Sequence, residues 1–185
     1  MADFFTSDTH YGHENIIKYC KRPFSSVQEM NDGLVKNINE KVGQLDTLWH
    51  LGDFSMGGES NFLEFRKRIN CQNVVLILGN HDSKKVVYKH KSLFKAIHEF
   101  YEYSSGNGFS VVMCHYALKV WNKSHYGRYH LYGHSHGTLP DDPNSLSFDI
   151  GVDCHNFMPL SVEEIKVIMS KKTWKPVDHH NERTT

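Results

Sequence analysis

Five apolar runs in this sequence each end in residues able to hold a metal ion. Phe4-Phe5 leads to Asp8-Thr9-His10, Leu48-Trp49-His50-Leu51 to Gly52-Asp53, and Val74 to Leu78 to Gly79-Asn80-His81-Asp82. Val111 to Cys114 leads to His115, and His130-Leu131-Tyr132 to Gly133-His134-Ser135-His136. Carboxylate, amide oxygen and imidazole form a mixed donor set that suits Mn, Fe, Zn, Co or Ni better than Ca or Mg. A carboxylate shared by two cations lets them sit about 3.5–4 Å apart. Asp53, isolated behind its glycine, is the candidate for that place. Taken singly, each residue has an ordinary reading. His115 could be a hydrogen-bonded structural histidine, Asn80 a turn residue, and His134 and His136 alternate positions of an exposed strand. Glycines at 133 and 137 favour a loop for the last pair.

The elements that must position these residues are short. Phe4 to Thr6, Asp46 to Leu51 and Val74 to Leu78 read as strands, the last apolar throughout, as suits burial on both faces. Phe100 to Tyr103 and Phe109 to Cys114 flank Gly106-Asn107-Gly108, a hairpin signal. Tyr129 to Tyr132 and Leu146 to Val152 are further strands. Ser26-Val27-Gln28-Glu29 and Ser161-Val162-Glu163-Glu164 are capping boxes. The first opens a helix with Met30, Leu34 and Ile38 on one face, and the second a helix through Met169. Phe62, Phe65 and Ile69 suit another amphipathic helix. Roughly seven strands and four helices, alternating at first, predict layered α/β or α+β architecture. In such sheets ligands bind beyond the carboxyl ends of strands, so the five ends are expected on one rim.

A chain of 185 residues suits about one domain. Twenty-one basic and 21 acidic residues argue against a broadly basic nucleic-acid surface. No apolar run approaches the ~20 residues of a membrane helix, and the start, Met-Ala-Asp-Phe-Phe, does not read as a secretory leader. Cys20, Cys71, Cys114 and Cys154 form no C-x-x-C pair, which disfavours a thiolate zinc site and predicts a reduced, cytoplasmic protein. The unusual count is 14 histidines. A single domain over residues 1–172 is expected, followed by a polar tail over 173–185 that carries His179 and His180.

The ordered set D-x-H, G-D, G-N-H-D, strand-end H and G-H-x-H resembles the calcineurin-like metallophosphoesterase superfamily. Arg22-Pro23-Phe24, Gly151-Val152-Asp153 and Pro159 extend the likeness to small bacterial and phage predicted phosphoesterases, to about residue 166. Ala117 departs from it, where those relatives often carry proline, which bears on the local loop and not on the ligands. The resemblance implies a four-layer α/β/β/α sandwich of two mixed sheets, and two divalent transition-metal ions, manganese first among the candidates. Asp8, His10, Asp53 and His136 would hold one ion, and Asp53, Asn80, His115 and His134 the other. A bridging water or hydroxide would attack phosphorus in line, His81 would protonate the leaving group, and Asp82 would orient His81. The implied partner is a small phosphate ester, with a phosphodiester or nucleotide favoured and an oligonucleotide also open. The rival readings are a phosphoprotein or phosphomonoester phosphatase and a non-catalytic scaffold supported by metal. Nothing here fixes an oligomeric state.

Other residues stay open. His13 could meet substrate or start the helix carrying Ile16 and Ile17. His50 suits the core, and His155 could approach the site. Arg22, Lys119 and Arg128 are candidates for holding phosphate, and Trp121, Tyr126 and Tyr129 for stacking on a base. The Lys84, Lys85, Lys89, Lys91 and Lys95 run reads first as a solvated face, and otherwise as a positive rim.

Overall fold

The computed structural model describes residues 1–106 and 108–177. Strand β1 (Asp3–Thr6) lies parallel to β2 (Thr47–His50), which lies parallel to β3 (Asn73–Ile77) and then β4 (Ala96–His98). The two-residue β9 (Leu160–Ser161) closes the other edge antiparallel to β1, giving a five-stranded mixed sheet. The second sheet has the order β5 (Phe100–Ser104), β6 (Ser110–Cys114), β7 (Tyr129–Tyr132) and β8 (Ser147–Asp149). It is antiparallel at the expected hairpin and parallel thereafter. Asn107, in that turn, lies outside the described residues, as do 178–185 with His179 and His180.

Alternation along the strands produces the layers. Phe5, Trp49, Val75 and Ile77 face Val111, Met113, Leu131 and Phe148 across the two sheets. Their neighbours Leu48, Val74 and Leu76 face outward onto α2 (Val27–Lys41), α3 (Glu59–Arg68) and α4 (Lys84–Lys89) through Val35, Ile38, Phe62, Phe65 and Val87. Helix α5 (Val162–Met169) sends Ile165 and Met169 into the inter-sheet core. A short α1 (Glu14–Tyr19) packs Ile16 against Met30 and Leu34. Over the outer face of the second sheet lies the 115–128 segment, whose helical part is the 3₁₀ turn Ser124–Tyr126.

Local chemistry explains the departures from the expected bounds. The capping box of α5 is complete. At α2, Ser26 Oγ accepts from Glu29 N, but the Glu29 carboxylate accepts from Ser25 N at 2.7 Å rather than from Ser26. Strand β8 stops at Asp149 because its carboxylate accepts from Gly151 N and Gly137 N and turns the chain. Beyond residue 172, Thr173 N donates to Pro143 O and Lys175 N to Asn144 O, so the start of the expected tail is docked on the body. No helix among the described residues is long and apolar enough to cross a membrane.

Phe65 is fully buried, with Tyr11 at 4.6 Å and Phe54 at 4.5 Å between ring centroids. Phe65→Ala is expected to cost about 3–5 kcal/mol, read from urea unfolding. The exposed Val167→Ala should stay within about 0.5 kcal/mol of the parent.

Candidate metal centre

In-register pairing of β1, β2 and β3 brings Thr6, His50 and Leu76 level, so the loops that follow leave the first sheet at one height. The parallel β6 and β7 do the same in the second sheet. The two rims are joined by a Ser7–Gly151 bridge, by Val152 N donating to Ser7 O at 3.1 Å, and by His134 N donating to the Asp8 carboxylate at 3.0 Å. All seven expected ligand residues meet there. Asp8, His10 and His136 offer donor atoms within 4.8 Å of one another, and so do Asp53, His115 and His134. Asn80 Oδ1 joins the second group, 2.9 Å from His134 Nδ1 and 3.1 Å from His115 Nε2. Asp53 Oδ2 lies between the groups, 3.4 Å from His10 Nε2 and 3.5 Å from His115 Nε2.

The loops are held in an unusual backbone state. Asp8, His10, Asp53, His134 and His136 all have φ between 47° and 69°, a region that residues with a Cβ enter at a cost. Hydrogen bonds hold them in place: Asp8 N donates to Gly52 O and His10 N to Asp53 O, each at 3.0 Å. Gly133 is required by close approach, since a Cβ there would collide with Ser7 Oγ and Asp8 Oδ2. Gly79 is required likewise, against Asp53 Oδ1.

A second set of residues orients the first. His115 Nδ1 donates to Leu51 O at 2.8 Å, which directs Nε2 into the cluster. His136 Nδ1 donates to Asp153 Oδ2 at 2.7 Å, leaving its Nε2 toward Asp8. Such partners fix imidazole tautomer and orientation in metal sites. Asp153 also accepts both ends of the Arg22 fork at 2.8 Å, and the same guanidinium donates to Asp8 O and Thr9 O. Arg22 is therefore a buried strut and not a phosphate clamp. In the sequence Asp153 stands out only as part of Gly151-Val152-Asp153, and its role emerges from these contacts.

Asp82 is corrected in the same way. Its carboxylate does not orient His81. It accepts from Asp53 N, Phe54 N and Gly79 N at 2.8–3.0 Å and so holds the Asp53 loop. His81 donates its backbone N–H to Asp53 Oδ1 at 2.8 Å, and its exposed ring lies 5.3 Å from that of His10. His13 caps α1 without a side-chain bond, with its ring 5.5 Å from His10. His50 is buried against Thr9 Oγ1, and His155 bonds Asp149 O away from the cluster. Arg128 is engaged by Glu102 and Ser110 Oγ. Trp121 and Tyr129 pack against the inter-sheet core, whereas Tyr126 is exposed. Within the lysine run, Lys84 pairs with Glu99 and Lys89 with Glu59, as befits a solvated face.

The cluster's electrostatics suit a cation. Burial pushes the Asp8 carboxyl up to about 6. Burial also drives His10 down to about 3, so its imidazole is neutral, and neither ring nitrogen has a hydrogen-bond partner. At Asp53 burial works upward, but the His115 bond and charge prevail and hold the carboxyl at about 2. Burial lowers His115, yet Asp53 and Asp8 overcome this and raise it to about 9. Buried carboxylates facing the unused lone pairs of His10 fit a divalent cation, and a cation beside Asp53 would take the place of the proton on His115.

The sequence matches the calcineurin-like phosphoesterase family over residues 4–183. An uncharacterized protein of Methanocaldococcus jannaschii is 33% identical over 175 residues, covering 91% of each chain. The gene 66 protein of Mycobacterium phage D29 is 25% identical, covering 85% of this chain and 91% of its own. The crystal structure of a protein of unknown function from Aquifex aeolicus superposes with a TM-score of 0.67, at 23% identity, over 90% of this chain and 98% of that one. This last likeness is one of fold.

Asp82→Ala would leave three amides unpaired, those of Asp53 and Phe54 buried and that of Gly79 part-buried. It is expected to cost about 3 kcal/mol in urea unfolding. A loss below about 0.5 kcal/mol would mean that those amides have other partners.

Proposed function

The chain belongs to the calcineurin-like phosphoesterase family, and we propose that it hydrolyses a phosphate ester at a centre of two divalent cations. The observation that carries this reading is Asp53 Oδ2, one carboxylate oxygen within 3.5 Å of imidazole nitrogens from both donor groups. Asp8, His10, Asp53 and His136 would hold one cation, and Asp53, Asn80, His115 and His134 the other. When bound, two such cations supply Lewis-acid charge to phosphoryl oxygens and lower the pKa of water. Manganese suits the oxygen-and-imidazole donor set.

The chain's own residues supply the rest. Asp8 and Asp53 set the negative charge that retains the ions. Asp153 and Leu51 O fix the rings of His136 and His115 so that each presents Nε2. His81 is exposed at the rim and tied by its own N–H to Asp53, which supports a role in giving a proton to the departing alkoxide. Asp82 acts through the backbone as a positioning residue. His81, Asn80 and His134 are all exposed, so the cluster opens on solvent. That openness favours a phosphodiester or nucleotide over a substrate needing a deep pocket. Four unpaired cysteines suit a reducing, cytoplasmic setting.

Protein purified without chelator should carry about two equivalents of transition metal by elemental analysis. Asp53→Asn should lower both equivalents, and loss of a single ion would refute the shared position. His81→Ala should keep its metal and lose about 10²–10⁴-fold in turnover of an alkyl ester. The deficit should shrink for 4-nitrophenyl esters, whose leaving group needs no proton. An equal deficit on both esters would remove His81 from the acid role.

A further inference from the structure

Beside the ligand loops, the 117–124 and 139–147 segments and the 174–177 stretch enclose a cleft of about 270 Å³. We propose that this cleft receives the nucleoside of a nucleotide ester whose phosphorus lies at the Asp53 cluster. The proposal rests on the phosphoesterase reading and narrows its substrate class.

Position supports it first. Tyr132, in the cleft lining, stands two residues before His134. Two residues of chain span at most about 7 Å, and Ala117 in the lining likewise stands two residues after His115, so the cleft borders two loops of the cluster. Volume comes next: about 270 Å³ lies near the lower end of cavities that hold small organic ligands, about 300–1,000 Å³. That suits one nucleoside, not a polymer.

The lining chemistry is that of an anionic heteroaromatic. Trp121 and Trp174 contribute indole rings, the second 38% exposed, and aromatic side chains of this kind stack on any base. Tyr132 is only 4% exposed, yet its hydroxyl has no hydrogen-bond partner among the described residues. Its oxygen is not sealed from solvent, so the hydroxyl is open to a ligand entering the cleft. Lys119 and Lys175 line the cleft and form no ion pair with any described residue, unlike Lys172, which bonds Asp141. The carboxylate in the wall, Asp142, is turned onto Asn144 N at 2.9 Å. The cleft thus offers two cations with no ion-pair partner among the described residues, π faces and a hydroxyl.

The test compares methyl 4-nitrophenyl phosphate with thymidine 5′-(4-nitrophenyl) phosphate, both with Mn²⁺. The thymidine ester should show a kcat/KM higher by about tenfold, on the scale of one stacked base. Trp174→Ala should erase that preference and leave the methyl ester unchanged. Lys119→Gln and Lys175→Gln, both at exposed positions, should cut it several-fold without touching the fold. A second readout needs no metal: thymidine 5′-monophosphate should quench tryptophan fluorescence of the metal-free protein, less so in Trp174→Ala, whereas inorganic phosphate should not. Equal kcat/KM for the two esters together with unchanged fluorescence would overturn the proposal and leave the phosphoesterase reading standing. Quenching without hydrolysis of either ester would overturn the phosphoesterase reading and keep a nucleotide site.

Discussion

One carboxylate oxygen stands where the two halves of the molecule meet. Asp53 leaves the first sheet after β2, and its Oδ2 faces His10 from that sheet and His115 from the other. Placing a carboxylate in so buried a spot is unfavourable unless positive charge is near. The surrounding structure serves that need: His115 is drawn to the charged form, the His81 amide donates to Oδ1, and Asp82 grips the Asp53 amide from behind. Parallel strands in register make the meeting geometrically available, because each sheet releases its loops at one level. The fold is thus a means of bringing charge to a rim that neither sheet could build alone.

Rigidity of the loops follows from the same requirement. Five of the candidate ligand positions occupy left-handed backbone, and Gly79 and Gly133 leave no room for even a methyl group. Such conformations persist only where neighbours over-determine them. Here the neighbours are buried ionic groups. Arg22 ties Asp8 O, Thr9 O and Asp153 together, and Asp153 in turn steers His136.

The candidate ligand set was legible in sequence because a donor residue that follows an apolar strand needs no tertiary knowledge to notice. The long apolar runs, β3 above all, and the α5 capping box were legible for the same local reason. Strands β4 and β9, three and two residues long, carry too little alternation to register. The strut formed by Arg22 and Asp153 spans 131 positions of sequence, and no local pattern encodes such a contact. Asp82 misled through adjacency: standing beside His81 suggested contact, yet a turn directs neighbouring side chains apart, and its carboxylate found amides instead. Arg22 misled through chemistry, since the fork that suits phosphate also suits a carboxylate and two carbonyls.

The Ser7–Gly151 bridge has a mechanical meaning. It clasps the two sheets at the rim that carries the ligands, while the β5–β6 hairpin turn lies at the sandwich's other end. At that far end the Tyr103 hydroxyl donates to Asp3 Oδ2 at 2.8 Å, so the sandwich is pinned on both sides of its apolar core and the two rims are kept from sliding past each other.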